Sequence, residues 1–422
     1  MLIYLYSKNL GLKGGGVKSS LITKKYINLA GHECISFTSV KDLKKAIGGD
    51  KEEWRKKEKG RKPDLILHHN IVNMYSVLRI SKKYKVPLIV TVNGLITCGR
   101  GFHYMPNKTG FGKVCTKCSF VKIIKCSILS EKGLRNNFLR KIKLILSAPI
   151  RFFKIKKRIY CLNKADAVIA VGSTLKNILI KNGVKNKIYV CQQPIDDDFL
   201  KQSNGRKYYD KGYGNDSKTI GDVDLNMNLD VISHFNKSKK KKIILAGGLF
   251  PEKGALVFLK AFDELNVDGL VDDVEVFIIG KVHPYVDYSA YKPFMKKNVH
   301  ITGKVSLNEM KNFYKKADFL AYPNILLEPF GRVWAEAVLY KCPVLTIKDR
   351  GGANDYLVDG HSAYFCDANL FSLKKGIMKM LNDSKFRKKI ANEAYKYGVK
   401  NLIGSVVGKK LNNIFKDVIK LY

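Results

Sequence analysis

Two series of short, largely apolar segments run through this chain, each alternating with helix-length stretches, and a polar tract separates them. In the first series LIYLY (2–6), 34–38, DLILH (64–68), PLIVTV (87–92), ADAVIAV (165–171) and KIYVC (187–191) read as strands. In the second, KIILAGG (242–248), VEVFIIG (274–280), NVHIT (298–302), DFLAYP (318–323) and PVLTI (343–347) do. A strand apolar along its whole length is buried on both faces, as in parallel sheets built from βαβ units. Helices are expected over 17–30, near 74–83, from about Gly254, through Lys315, after Gly331 and from the last strand to Tyr422, with 42–60 a solvated helical excursion. Two α/β halves predict two doubly wound sheets facing across a cleft, and 422 residues exceed one ordinary core.

Residues 201–240 are polar, rich in Gly, Asn and Asp, without periodicity, and run into lysines. The expected organisation is an N-terminal Rossmann-like unit over 1–200, a linker with a flexible insertion over 201–240 and a C-terminal Rossmann-like unit over 241–400. A terminal helix over 401–422 is expected to pack back on the first unit.

Chemistry concentrates in EPFGRVWAE (328–336). Gly331 at the mouth of a helix lets a ligand approach the backbone, and the first turn offers unpaired N–H groups and a positive dipole end, suited to phosphate. Glu336 lies five residues on, roughly 7–8 Å along the axis, about the reach from a diphosphate to a ribose or sugar. Carboxylates hold vicinal diols by paired hydrogen bonds. The bland alternative is a helix-terminal Glu328 favoured by the dipole and a surface Glu336. AGGLFPEKG (246–254) adds a strand, a glycine turn and Lys253 at a helix start, a second phosphate-type cradle. Gly14, Gly15 and Gly16 after the first strand form a third glycine turn, without the lysine of a P-loop.

Residues 243–366 resemble the donor-binding domain of glycosyltransferase family 4 (glycosyl transferases group 1), retaining enzymes of the GT-B fold. The order GGLFPEKG, VEVFIIG, NVHITGKV, KKADFLAYP, EPFGRVWAEAVLYKCPVLT, GGANDYLVDG carries the resemblance, and the spacing of Glu328 and Glu336 is its most specific mark. The first half agrees more loosely, through GGG…NLAGHE and ADAVIAVGSTLKNILIKNGVKNKIYVCQQPID. By that resemblance Glu328 is the catalytic carboxylate on the donor sugar and Glu336 meets the ribose. Lys253, Gly248 and the amides at Phe330 and Gly331 hold the diphosphate, and Gly15 and Gly16 face them from the first half. The family usually has an arginine where Gly248 stands and a histidine where Asn93 stands. Asn93, His69 and His103 are therefore the acceptor-side candidates.

Nine cysteines at irregular spacing and no basic leader before the apolar run broken at Ser7 imply reduced thiols and a cytoplasmic location. Cys98, Cys115, Cys118 and Cys126 are either free thiols or a structural zinc site holding the loop 94–130. No metal is expected in catalysis, and no cofactor beyond the nucleotide-sugar substrate.

Lys plus Arg number 77 against 36 acids, and between Asp64 and Asp166 the only acidic residue is Glu131. A one-sided basic surface calls for an anionic partner. In 138–162, Ile142, Ile145, Leu146, Phe152, Phe153, Ile155 and Ile159 interleave with lysines and arginines, and Pro149 should break the helix. One reading is an interfacial helix on anionic lipid at the inner face of the cell membrane; the other is a core-facing helix with a lysine-rich outer face. The function expected is a metal-independent, retaining glycosyltransferase moving a sugar from a nucleotide-sugar donor to a glycan or lipid-linked acceptor. A GT-B-like nucleotide-sugar epimerase is the enzymatic alternative. A nucleic-acid-binding protein would fit the charge but leave Glu328, Glu336 and Lys253 without purpose, and no aromatic-basic RNA-recognition signature is present.

Overall fold

The computed structural model describes residues 1–8, 15–48, 62–69, 71–99, 104–105, 110–128, 138–200, 228–250, 253–282 and 286–422. Its first sheet contains β1 (Leu2–Tyr6), β2 (Glu33–Phe37), β3 (Leu65–His69), β4 (Leu88–Val92), β7 (Ala167–Ala170) and β8 (Ile188–Val190), in the order β2-β1-β3-β4-β7-β8. A ribbon of β5 (Tyr104–Met105) and β6 (Lys113–Val114) lies apart from it. The second sheet contains β9 (Lys241–Ala246), β10 (Val274–Ile279), β11 (Val299–Gly303), β12 (Phe319–Tyr322), β13 (Val344–Ile347) and β14 (Tyr364–Cys366), in the order β11-β10-β9-β12-β13-β14. Every pairing within these two sheets is parallel. Both orders reverse direction once, between β1 and β3 and between β9 and β12. In such doubly wound sheets ligands gather outside the carboxyl ends of the strands at the reversal.

All five residues of β1, β3 and β4 are buried, which accounts for their unalternating apolar sequence. One face of the first sheet packs Ile3, Leu5, Leu67, Ile89 and Ile169 against Val407, Leu411, Ile414 and Phe415. Those four belong to the final helix, Gly404–Leu421, which thus lies on the first unit; Gly404 leaves room there for the Tyr26 ring.

The structure adds elements that the sequence reading lacked. Helix Leu229–Lys237 occupies the tract read as linker: the Asn228 side chain caps it by accepting from the Val231 amide at 3.1 Å, and Ile232 and Phe235 are buried. Only two apolar anchors within a lysine-rich sequence hid it. Strand β14, three residues long, was too short to stand out between its polar flanks. The amphipathic stretch divides at Pro149 as expected, into Phe138–Leu146 and Ala148–Lys164, with Pro149 in the first turn of the second helix, where its missing N–H costs no hydrogen bond.

Candidate active site

The donor-side candidates converge at the reversal between β9 and β12. After β9 the chain turns through Gly247 (φ 124°) and Gly248 (φ 72°). A Cβ on Gly248 would collide with the Lys281 carbonyl, so the turn lies directly on the backbone leaving β10. Gly254, with φ 78°, begins the helix Ala255–Val267, and a Cβ there would strike the Pro323 carbonyl just past β12. This close approach delivers Lys253 to Glu328. The Lys253 ammonium bonds Glu328 Oε2, and Asn324 Nδ2 donates to the same oxygen at 3.1 Å. Backbone fixes the carboxylate further, since the Glu328 amide donates to the Arg350 carbonyl at 2.8 Å and Glu328 bridges Gly351. The side chains of Lys253 and Glu328 remain 33% and 25% exposed, so the pair opens to solvent.

Gly331 (φ 76°) starts the helix Arg332–Val338 and lets the Tyr322 hydroxyl approach its α-carbon. Burial and then the Glu328 carboxylate hold that hydroxyl protonated. Phe330 is 2% exposed and packs edge-on to Trp334 and Tyr356 at 5.5 and 5.6 Å, leaving only its backbone for a ligand. The helix is just seven residues long, so the dipole invoked from the sequence is weak, and Lys253 is the cation paired with Glu328 here. Glu336 is not a surface residue: it is 9% exposed, and Arg332 Nη2 donates to its Oε1 at 3.2 Å.

The first unit meets this edge directly. Asp355 accepts from Ser173 Oγ at 3.0 Å and from the Thr174 amide at 3.1 Å, capping the helix Ser173–Lys181 from across the units. Gly172, just past β7, has no room for a Cβ beside Asp355 and the Pro329 carbonyl. Arg332 Nη1 donates to the Pro194 carbonyl at 3.0 Å, so the residue that holds Glu336 also joins the units. Asn93 and His69 lie at the carboxyl ends of β4 and β3, where Asn93 Nδ2 donates to His69 Nε2 at 2.8 Å. Burial, and secondarily His68, lowers the His69 pKa to about 4, so its ring is neutral at ordinary pH. Gly15 and Gly16 form the first turn of Gly15–Leu29; the loop before them and His103 lie outside the described residues.

Cys98, Cys115, Cys118 and Cys126 are free thiols: Cys118 hydrogen-bonds Cys98, and Cys126 is buried on the helix Phe120–Ile128. The sequence reading missed Asn324, Tyr322, Arg332 and Asp355. Arg332 and Glu336 stand four residues apart and were open to recognition as a helical pair. Asp355 meets Thr174 across 181 residues, which no local pattern records.

Two family models match the chain: Glycosyltransferase Family 4 over residues 45–199 and Glycosyl transferases group 1 over 229–397. The chain is 29% identical over 133 residues to a lipopolysaccharide 1,2-N-acetylglucosaminetransferase of Salmonella typhimurium, covering 29% of this chain and 34% of that one. It is 24% identical over 208 residues to an uncharacterised glycosyltransferase of Methanocaldococcus jannaschii, covering 47% and 52%. It thus spans about a third and about half of these two relatives. Among solved structures, Anabaena HepE in complex with UDP and glucose superposes with a TM-score of 0.63 at 14% identity, covering 99% of this chain and 100% of that one. That likeness, with the two parallel sheets, gives the fold as GT-B, two Rossmann-like units.

Proposed function

Because the chain belongs to the glycosyltransferases of family 4 and group 1, we propose that it is a retaining enzyme moving a sugar from a nucleoside-diphosphate donor to a glycan or lipid-linked acceptor. The observation that carries this reading is the meeting of Lys253 and Glu328 beside two positive-φ glycine turns at the reversal of the second sheet. Lys253 would take the diphosphate, leaving Glu328 for the sugar hydroxyls. Charge on the departing diphosphate would be met by the ammonium and the backbone amides at Phe330 and Gly331. Glu336, oriented by Arg332, would hold the ribose. Retention and the absence of a catalytic metal rest on the family reading.

The acceptor is assigned to the first unit, with Asn93 and His69 at its edge. A neutral, buried His69 can orient Asn93 but is a poor proton acceptor. The similarity to a lipopolysaccharide 1,2-N-acetylglucosaminetransferase supports a glycan or lipid-linked acceptor, and the HepE complex with UDP and glucose makes uridine donors the first to try. Cys98, Cys115, Cys118 and Cys126 are read as free thiols, and a zinc ion held by them is the alternative that the metal titration below decides.

Membrane attachment belongs to the same proposal. Leu146, Ile150, Phe153 and Tyr160 are exposed, as are Lys154, Lys156 and Lys157. Arg151 and Arg158 instead turn inward, Arg151 to Ser127 Oγ at 2.8 Å and Arg158 to the Ile96 carbonyl at 3.1 Å. Among the described residues no helix is long and apolar enough to cross a membrane. The fitting mode is peripheral, on an anionic cytoplasmic leaflet, where each basic residue contributes about 1 kcal/mol.

A thermal-shift screen of UDP-, GDP- and ADP-sugars tests the donor reading, since a ligand of the native state raises the melting temperature. No shift with any of them would count against it. Co-sedimentation with anionic and neutral liposomes tests attachment, with Lys154, Lys156 and Lys157 changed together to Gln. Wild type should bind anionic vesicles at low salt and the variant should not; failure of wild type to bind would refute attachment.

A further inference from the structure

Away from the active site, three ligand-type side chains converge on the second unit. His234 lies on the helix Leu229–Lys237, Glu275 is the second residue of β10 and His300 the second of β11. His234 Nε2 stands 2.7 Å from Glu275 Oε1, and His300 Nε2 stands 3.6 Å from the same oxygen. One ligand atom from each residue lies within 4.8 Å of the others. The cluster sits at the amino ends of β10 and β11, whereas the Gly247 and Gly248 turn packs at their carboxyl ends. Five residues separate Glu275 from Gly280, roughly 16 Å of strand.

We propose that His234, Glu275 and His300 bind one divalent transition-metal ion of the zinc type, clipping helix to sheet. Two imidazole nitrogens and a carboxylate oxygen form a recognised zinc donor set. Ligand atoms about 2.0–2.1 Å from a tetrahedral ion stand roughly 3.3–3.5 Å apart, close to the separation of His300 and Glu275. The shorter contact of His234 with Glu275 is a hydrogen bond whose proton the metal would replace, and His234 is on the surface, free to swing outward by under about 1 Å.

Two observations favour an ion over a simple ion-paired triad. His300 Nε2 is buried and lies beyond hydrogen-bond reach of the carboxylate it faces, so an inward-pointing ligand atom has no bond in the metal-free state. Its ring is already fixed, stacked on Phe277 at 4.9 Å. Nearby lysines oppose a cation: Lys241 is paired with Asp273 at 3.2 Å, and Lys240, though held to the Asp272 carbonyl at 3.1 Å, still acts on His300, helping to keep its ring neutral and so able to ligate. The bound ion would tie the helix that follows residues 201–227 to the edge strand β11. The proposal is independent of the glycosyltransferase reading.

The test uses the full chain, freed of any affinity tag and stripped with chelator. Zinc is titrated against a chromogenic chelator while the melting temperature is followed, and cobalt then replaces zinc for absorption spectroscopy. One equivalent should bind and raise the melting temperature. Cobalt should give visible d–d bands without thiolate-to-metal charge transfer. His234→Ala should abolish the shift and Cys118→Ser should leave it intact; His234 is exposed, so its variant is decisive even if His300→Ala fails to fold. Absence of binding, binding unaffected by His234→Ala, or a thiolate band removed by Cys118→Ser would each overturn the proposal, the last assigning the ion to the cysteines.

Discussion

Lys253 and Glu328, 75 residues apart in sequence, close on each other in an ion pair at the reversal of the second sheet, and Asn324 braces the carboxylate at 3.1 Å. In this state the carboxylate neutralises the cation that a diphosphate would seek. On the proposed reading, donor binding has to draw Lys253 partly away from Glu328, coupling the nucleotide end of the site to the sugar end.

Removing the lysine should weaken nucleotide binding. Lys253→Ala is expected to raise the Kd for free nucleoside diphosphate roughly ten- to a hundredfold, the cost of one charge-assisted bond. Isothermal titration measures it. An unchanged Kd in the folded variant would remove Lys253 from the diphosphate site.

Gly248 occupies the position where the family usually has an arginine. At φ 72°, with the Lys281 carbonyl against its α-carbon, it admits no side chain without backbone movement. Gly248→Ala should cost about 1–3 kcal/mol of stability, and Gly248→Arg should not tighten diphosphate binding. Denaturant midpoints check the first part; an unperturbed Gly248→Ala midpoint would mean the turn is not held this way.

His69 gives a pH signature. Its folded pKa of about 4 lies below the unfolded value of about 6.5, so the unfolded chain takes up the proton first as the pH falls. Its stabilising contribution is complete above about pH 6.5 and is lost progressively down to about pH 4, on the order of 3 kcal/mol. His69→Gln should flatten that part of the melting-temperature profile. A variant as acid-sensitive as wild type between those values would show that His69 titrates normally.

The legible parts of this molecule were those with a local cause. β1, β3, β4 and β10 are buried on both faces and hence largely apolar, and Lys253, Glu328 and Glu336 sit in short motifs. Contacts made by distant residues were not legible. Asp355 caps the helix at Ser173 from the other unit, and the His300 and Glu275 strands become neighbours only when the sheet forms. The helix Leu229–Lys237 was hidden because two buried residues sufficed to anchor it. The inward turn of Arg158 was hidden because a basic residue on an amphipathic helix reads as solvent-facing until its carbonyl partner at Ile96 is in place.

The central claim is that Glu328 acts on the transferred sugar while Lys253 and Glu336 hold the nucleotide. Glu328→Gln, assayed for turnover with the donor found by screening and for binding of free nucleoside diphosphate, tests it most directly. An interaction made chiefly in the transition state should cost turnover about a hundredfold or more on removal. Nucleotide affinity should stay the same or tighten, because Lys253 loses its internal partner. Equal losses in turnover and nucleotide binding would contradict the account and place Glu328 on the nucleotide instead.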